Sequence, residues 1–186
     1  MTLPAFPLLA LGLILWIGAH LFKRVAPAAR TALGDRGKAA ITFALLLGIV
    51  LMVIGYRGAE GTFYWSRHPA LVGINNLLML VSVYLFAASG MKTAVARWFR
   101  HPMLAGVLLW SVAHLLVNGD TPSFLLFGGM AVWALAEMAI ISAQDGRWTP
   151  PPAKPVKFEF MALAGTVIVY GAIAGAHYAL GYPTFG

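Results

Sequence analysis

The chain has 186 residues, of which 60% are hydrophobic and only 10% charged. Soluble domains carry about a quarter charged residues, and a chain this short leaves too much surface exposed to hide so much apolar area from water. A water-soluble fold is therefore excluded, and the absence of cysteine removes disulfides, thiolate metal sites and cysteine nucleophiles. The net charge of +7 would suit nucleic acid only if the basic side chains gathered on one polar face. They lie instead in short gaps between apolar runs, where anionic lipid headgroups are the natural counter-charge.

A helix crosses the hydrocarbon layer with about 20 mostly apolar residues. Six segments meet or approach that length: Leu3–Phe22, Ala39–Tyr56, Pro69–Ser89, Pro102–Val117, Pro122–Ile141 and Phe158–Leu180. The first lacks a basic leading region and a small-residue cleavage site, so it reads as a retained span and not a signal peptide. None alternates with period two, which argues against a barrel. The expected fold class is all-α: a polytopic transmembrane bundle of about six spans, forming one domain over residues 1–186.

The gaps set the orientation. Lys23, Arg24, Arg30, Arg36 and Lys38 follow span one; Lys92, Arg97 and Arg100 follow span three; Arg147, Lys154 and Lys157 follow span five. Only Arg57 and Arg67 fall in the alternate gaps. The positive-inside rule then places the three basic loops in the cytoplasm and both termini on the non-cytoplasmic side. Gly146–Pro155 holds four prolines and reads as an extended linker, because proline lacks the donor N–H.

One internal echo is present. Trp65-Ser66-Arg67-His68-Pro69-Ala70-Leu71-Val72-Gly73 matches Trp98-Phe99-Arg100-His101-Pro102-Met103-Leu104-Ala105-Gly106. Inverted repeats in transporters give such pairs. The plainer reading is local: Trp and Arg anchor at the interface, and Pro takes the first helical position, where its missing donor costs nothing.

Ionisable groups inside spans are costly, so each is a functional candidate. His20 lies near the basic end of span one, His114 inside span four, Glu137 in span five and His177 near the end of span six. Asn75 and Asn76 sit early in span three. Glu137 reads as a snorkelling or arginine-paired residue near the interface. Asn118-Gly119-Asp120-Thr121-Pro122 reads as a turn, with Gly119 supplying positive φ. His177 reads as part of an interfacial belt with Tyr178 and Tyr182. His114 stands out, since an imidazole buried among Trp110, Leu115 and Leu116 needs a hydrogen-bond partner or a metal.

The run from Arg100-His101-Pro102 through Trp110-Ser111-Val112-Ala113-His114 to Asn118-Gly119-Asp120 resembles the signature of the NnrU family. Leu125-Leu126-Phe127-Gly128, Ala131-Val132-Trp133-Ala134 and the Ala19-His20-Leu21 start agree with it. The resemblance implies a bacterial inner-membrane protein tied to nitrite and nitric oxide metabolism. It also implies kinship with the haem-containing zeta-carotene isomerase, which acts on a hydrophobic polyene within the membrane. By motif, that enzyme's haem-b ligands correspond to His20 and His114 here. Arg100 and His101, at the positive N-terminus of span four, would hold the haem propionates if the haem lies toward the cytoplasm. On the topology above, His114 lies about 20 Å along its helix from His101 at 1.5 Å per residue, whereas His20 lies near the cytoplasm. His177 and His68, both placed outward, are therefore alternative partners of His114.

Two other readings fit parts of the chain. The small residues around Gly165, Gly171 and Gly175 suit packing against a membrane-protein partner, as in an accessory subunit. The Arg-His-Pro start of span four also resembles the isoprenylcysteine carboxyl methyltransferases. The Glu-rich stretch of those enzymes is replaced here by Gln144-Asp145-Gly146-Arg147-Trp148-Thr149 and prolines.

Overall fold

A computed structural model describes residues 4–185. The described residues are 78% helical, and their α-helices are α1 (Ala5–Val25), α2 (Pro27–Ala32), α3 (Gly34–Gly58), α4 (Pro69–Met91), α5 (Pro102–Val117), α6 (Thr121–Ser123), α7 (Gly129–Asp145) and α8 (Lys157–Ala179). Two short strands, β1 (Phe63–Trp65) and β2 (Gly119–Asp120), lie between them, and Phe124–Gly128 is wound as a π-helix. Among the described residues, α1, α3, α4, α8 and the run Thr121–Asp145 are long and apolar enough to cross a membrane, and α5 is a shorter apolar helix. The chain is a multi-pass membrane protein with five to six candidate spans.

The ends of the apolar runs are not the ends of the helices. α3 starts at Gly34, ahead of the expected Ala39, because Asp35 suits the positive helix start and bonds Lys38 at 3.0 Å one turn on. α1 likewise runs on through Lys23 and Arg24, whose charges suit a helix C-terminus. Leu3, the expected start of the first span, lies outside the described residues. α5 coincides with the expected Pro102–Val117, since proline fixes its start and Asn118-Gly119 ends it.

The chain divides into two compact units. The first holds the residues up to Tyr64 together with Asp120–Trp133; the second holds Trp65–Gly119 and the residues from Ala134 onward. In the first unit α1 and α3 meet through glycine. A Cβ on Gly12 would lie 2.7 Å from the Gly48 carbonyl oxygen, and one on Gly55 would meet the Leu9 backbone and sit 2.8 Å from the Ala5 oxygen. Gly48, Met52 and Gly55 share one helix face by their four- and three-residue spacing. Lipid gives helices no hydrophobic drive to associate, so this close backbone approach supplies the contact. The Tyr56 hydroxyl and Ser123 Oγ, 2.8 Å apart, add a hydrogen bond within this unit.

In the second unit α4 packs against both α5 and α8. Ser82, fully buried on α4, donates to the Gly106 carbonyl of α5 at 2.7 Å. The Trp65 ring occupies the space a side chain on Gly119 would need, and its Nε1 donates to the Leu115 carbonyl at 3.2 Å. Gly119 is thus required by this approach and not by backbone conformation; its φ is not positive, unlike those of Gly34, Gly146 and Gly181. On α8, by contrast, a Cβ on Gly171 or Gly175 would meet nothing within 4 Å.

The two glycine environments predict opposite responses to one added methyl. Gly55→Ala overpacks a backbone contact and should cost about 1–3 kcal/mol, lowering the thermal midpoint in detergent by several degrees. Gly171→Ala should leave the midpoint unchanged or raise it slightly, through better helix propensity. Equal losses in both variants, read by thermal unfolding, would contradict the α1–α3 packing described here.

Candidate functional site: histidines within the membrane

Three helices each present a histidine held in the same way. His20 Nδ1 lies 2.9 Å from the Trp16 carbonyl on α1, His114 Nδ1 lies 2.9 Å from the Trp110 carbonyl on α5, and His177 Nδ1 lies 2.8 Å from the Ile173 carbonyl on α8. A carbonyl carries no proton, so Nδ1 must be the donor, and the neutral ring then carries its lone pair on Nε2. Metal-ligating histidines commonly have one nitrogen bonded to a carbonyl in this way and the other on the metal.

Two of the three belong to a repeated local module. Trp16-Ile17-Gly18-Ala19-His20 and Trp110-Ser111-Val112-Ala113-His114 share the pattern Trp-x-x-Ala-His. In each, the tryptophan one turn back gives its carbonyl to the imidazole and its ring to the imidazole face. The centroids are 4.3 Å apart at Trp16–His20 and 5.0 Å apart at Trp110–His114. One module lies in each unit. Residues four apart on a helix stack over one another, so the spacing itself signals this contact.

Around His20 the aromatic shell is fuller. Trp133, 4% exposed, places its ring 4.8 Å from the imidazole and 5.7 Å from Trp16, edge-on to the latter. The Nε1 atoms of both Trp16 and Trp133 are buried without a hydrogen-bond partner. Neither tryptophan stands out from composition or hydropathy; Trp133 reaches His20 only through tertiary packing. Near His114, Asn118 Nδ2 donates to the His114 carbonyl at 2.8 Å, while Ser111 Oγ, fully buried one turn earlier, has no partner. His177 lies in the same unit as His114.

The remaining candidates have other employment. His68 caps α4, its Nδ1 accepting from the Ala70 N–H at 3.3 Å. Its neutral ring therefore carries the proton on Nε2, the opposite tautomer to the other three. Arg100 donates to the Gly146 carbonyl at 2.7 Å and lies 3.5 Å from Asp145, and His101 Nε2 lies 2.9 Å from Ser142 Oγ. These contacts clamp the start of α5 to the end of α7, 13 residues along the same helix from His114. Arg67 mirrors Arg100 at the start of α4 by donating to the Pro183 carbonyl at 2.8 Å. In both copies of the Arg-His-Pro stretch the arginine ties a helix start to a distant part of the chain. Asn76 joins the same tether, donating to the Thr184 carbonyl at 3.0 Å.

Glu137 does not reach out to water as a snorkelling side chain would. It is 7% exposed and continues the buried stripe of Met130, Trp133 and Ala134 on α7, with Oε2 unpartnered. The helical spacing puts it on that inward face, so its length cannot carry it to water.

Among the described residues no three His, Cys, Asp or Glu side chains gather as a metal cage. The nitrogen donors come singly, each on a rigid helix. That donor set suits a metal whose other ligands belong to a prosthetic group, as the macrocycle does in haem. Fold and site together define a polytopic α-helical membrane protein with tryptophan-braced histidines inside its spans. The family described as NnrU protein matches residues 8–184, and the chain belongs to it. Neither a curated protein nor a solved structure matches.

The α5–α7 clamp should be sensitive to pH. Burial, and secondarily the adjacent Arg100, hold the His101 imidazole below its ordinary value of 6.5, with Asp145 opposing. The neutral form is the one the fold favours, so this stabilisation is complete above about pH 6.5 and is lost as pH falls through the lowered folded value. The thermal midpoint should drop between about pH 7.5 and 5.5, and the drop should be smaller in His101→Gln. An identical drop in the variant would assign the effect to other groups.

Proposed function

We propose that this chain is a haem-b-binding protein of the bacterial inner membrane, acting in nitrite and nitric oxide metabolism or in isomerisation of a hydrophobic polyene. The observation that carries this reading is the Trp-x-x-Ala-His module, present once in each unit, in which a tryptophan braces the imidazole whose Nδ1 donates to that tryptophan's carbonyl. His20 and His114 are the proposed iron ligands. Haem iron bound through histidine supplies one-electron chemistry, or a coordination position for a small diatomic ligand when one axial ligand leaves. The chain's own part is to hold each imidazole in one tautomer and rotamer, brace it with an indole, and exclude water through the apolar spans.

The proposed topology has six spans, with α5 as the shortest, and both termini outward, following the distribution of Lys and Arg between alternate loops. Reporter fusions after Arg147 and after Phe185 should report opposite sides of the membrane.

Protein purified in detergent from haem-replete cells should show a reduced α-band of haem b. His20→Ala and His114→Ala should each lose most of that band, and His68→Ala should retain it. A colourless wild-type protein would overturn the cofactor assignment.

A further inference from the structure

We propose that the indole N–H groups of Trp16 and Trp133 form the seat for the cofactor's carboxylates, beside His20 in the first unit; this rests on the haem reading above. An indole offers one N–H and no acceptor, so a buried indole is satisfied only by an acceptor brought to it. Unpartnered buried donors are rare in folded proteins, and the hydrocarbon layer supplies no water to meet them. Here two occur on adjoining rings: Trp16 and Trp133 have centroids 5.7 Å apart, and both Nε1 atoms are buried without a partner.

Both rings also touch the His20 imidazole, at 4.3 and 4.8 Å. A group held at His20 would lie beside the two rings that carry these unpartnered donors. The complementary chemistry is an oxygen acceptor, and a charged one forms the stronger hydrogen bond. The carboxylates of a tetrapyrrole meet that requirement on the same molecule that offers a metal to Nε2. Lys23 and Arg24, within a turn of His20 on α1, add positive charge at this end of the helix. Arg100 and His101, the anchors expected at the positive start of α5, are engaged by Asp145, Gly146 and Ser142.

The test is a titration of the full-length protein in lipid nanodiscs with haemin and with haemin dimethyl ester, which lacks the carboxylate charge. Wild type should bind haemin at least about tenfold more tightly than the ester, since a hydrogen bond to a charged group is worth that factor or more. Trp16→Phe and Trp133→Phe keep an aromatic ring against His20 and remove only the donor. Each should weaken haemin binding by about tenfold and narrow its advantage over the ester. Arg100→Gln should change neither titration. Equal binding of haemin and ester by wild type overturns the seat without needing any variant. Tryptophan variants that bind haemin as wild type does overturn it while leaving haem binding intact. Absence of haem absorbance in wild type overturns both.

Discussion

A polar group inside a bilayer finds its partner within the protein or goes without, and this constraint shapes almost every specific contact in the chain. The histidines take carbonyls of their own helices. Thr166, 3% exposed, donates to the Ala162 carbonyl at 2.7 Å, Ser82 reaches across to Gly106, and Asn118 closes the end of α5. Against that background the unmet groups carry information. Trp16, Trp133, Ser111 and Glu137 lie within helices read as spans, each with a buried atom that the chain itself does not satisfy. Such exceptions are where a ligand, a proton or an internal water has its place.

The same solvent explains why glycine carries so much of the packing. Apolar side chains gain little by leaving lipid for one another, so helices associate where backbones can approach closely. Gly12, Gly48 and Gly55 do this between α1 and α3, and Gly106 between α4 and α5, where an added Cβ would lie 3.1 Å from both the Ser82 carbonyl and the Phe86 ring. A rigid α1 has a functional corollary, because that helix carries His20. Packing of its glycine face fixes the axis on which the imidazole is mounted, and Trp16 fixes the imidazole on the axis.

Much of the architecture was legible in the residues, because hydropathy reports the lipid-facing majority directly. The apolar runs located the helices, and Pro102 and Asn118-Gly119 fixed both ends of α5. Helix ends elsewhere were less legible: polar residues such as Asp35 and Lys38 extend a helix past the apolar run by pairing with each other. The importance of Gly119 was visible but its cause was not, since no local signal announces that Trp65 lies over it. Glu137 went the other way, as its charge suggested the interface while its phase on the helix buries it. The histidines were found from their cost in lipid. Their bracing was written in the sequence twice, as Trp-x-x-Ala-His, but a search for repeats is drawn first to Arg-His-Pro, whose arginines bond distant carbonyls at two helix starts. The indole shell of His20 was not readable at all, because Trp133 is 113 residues away.

The π-wound segment Phe124–Gly128 gives the run from Thr121 to Asp145 one place that tolerates a change of length. A π-turn holds about one residue more than an α-turn, so excising one residue there would let the run close into uniform α-helix with the phase of α7 nearly kept, and Trp133 would stay on the side that faces His20. One residue removed from the regular helix between Gly129 and Trp133 would instead turn everything beyond it by about 100°. Trp133 would then swing off His20, although no residue of the site had been altered.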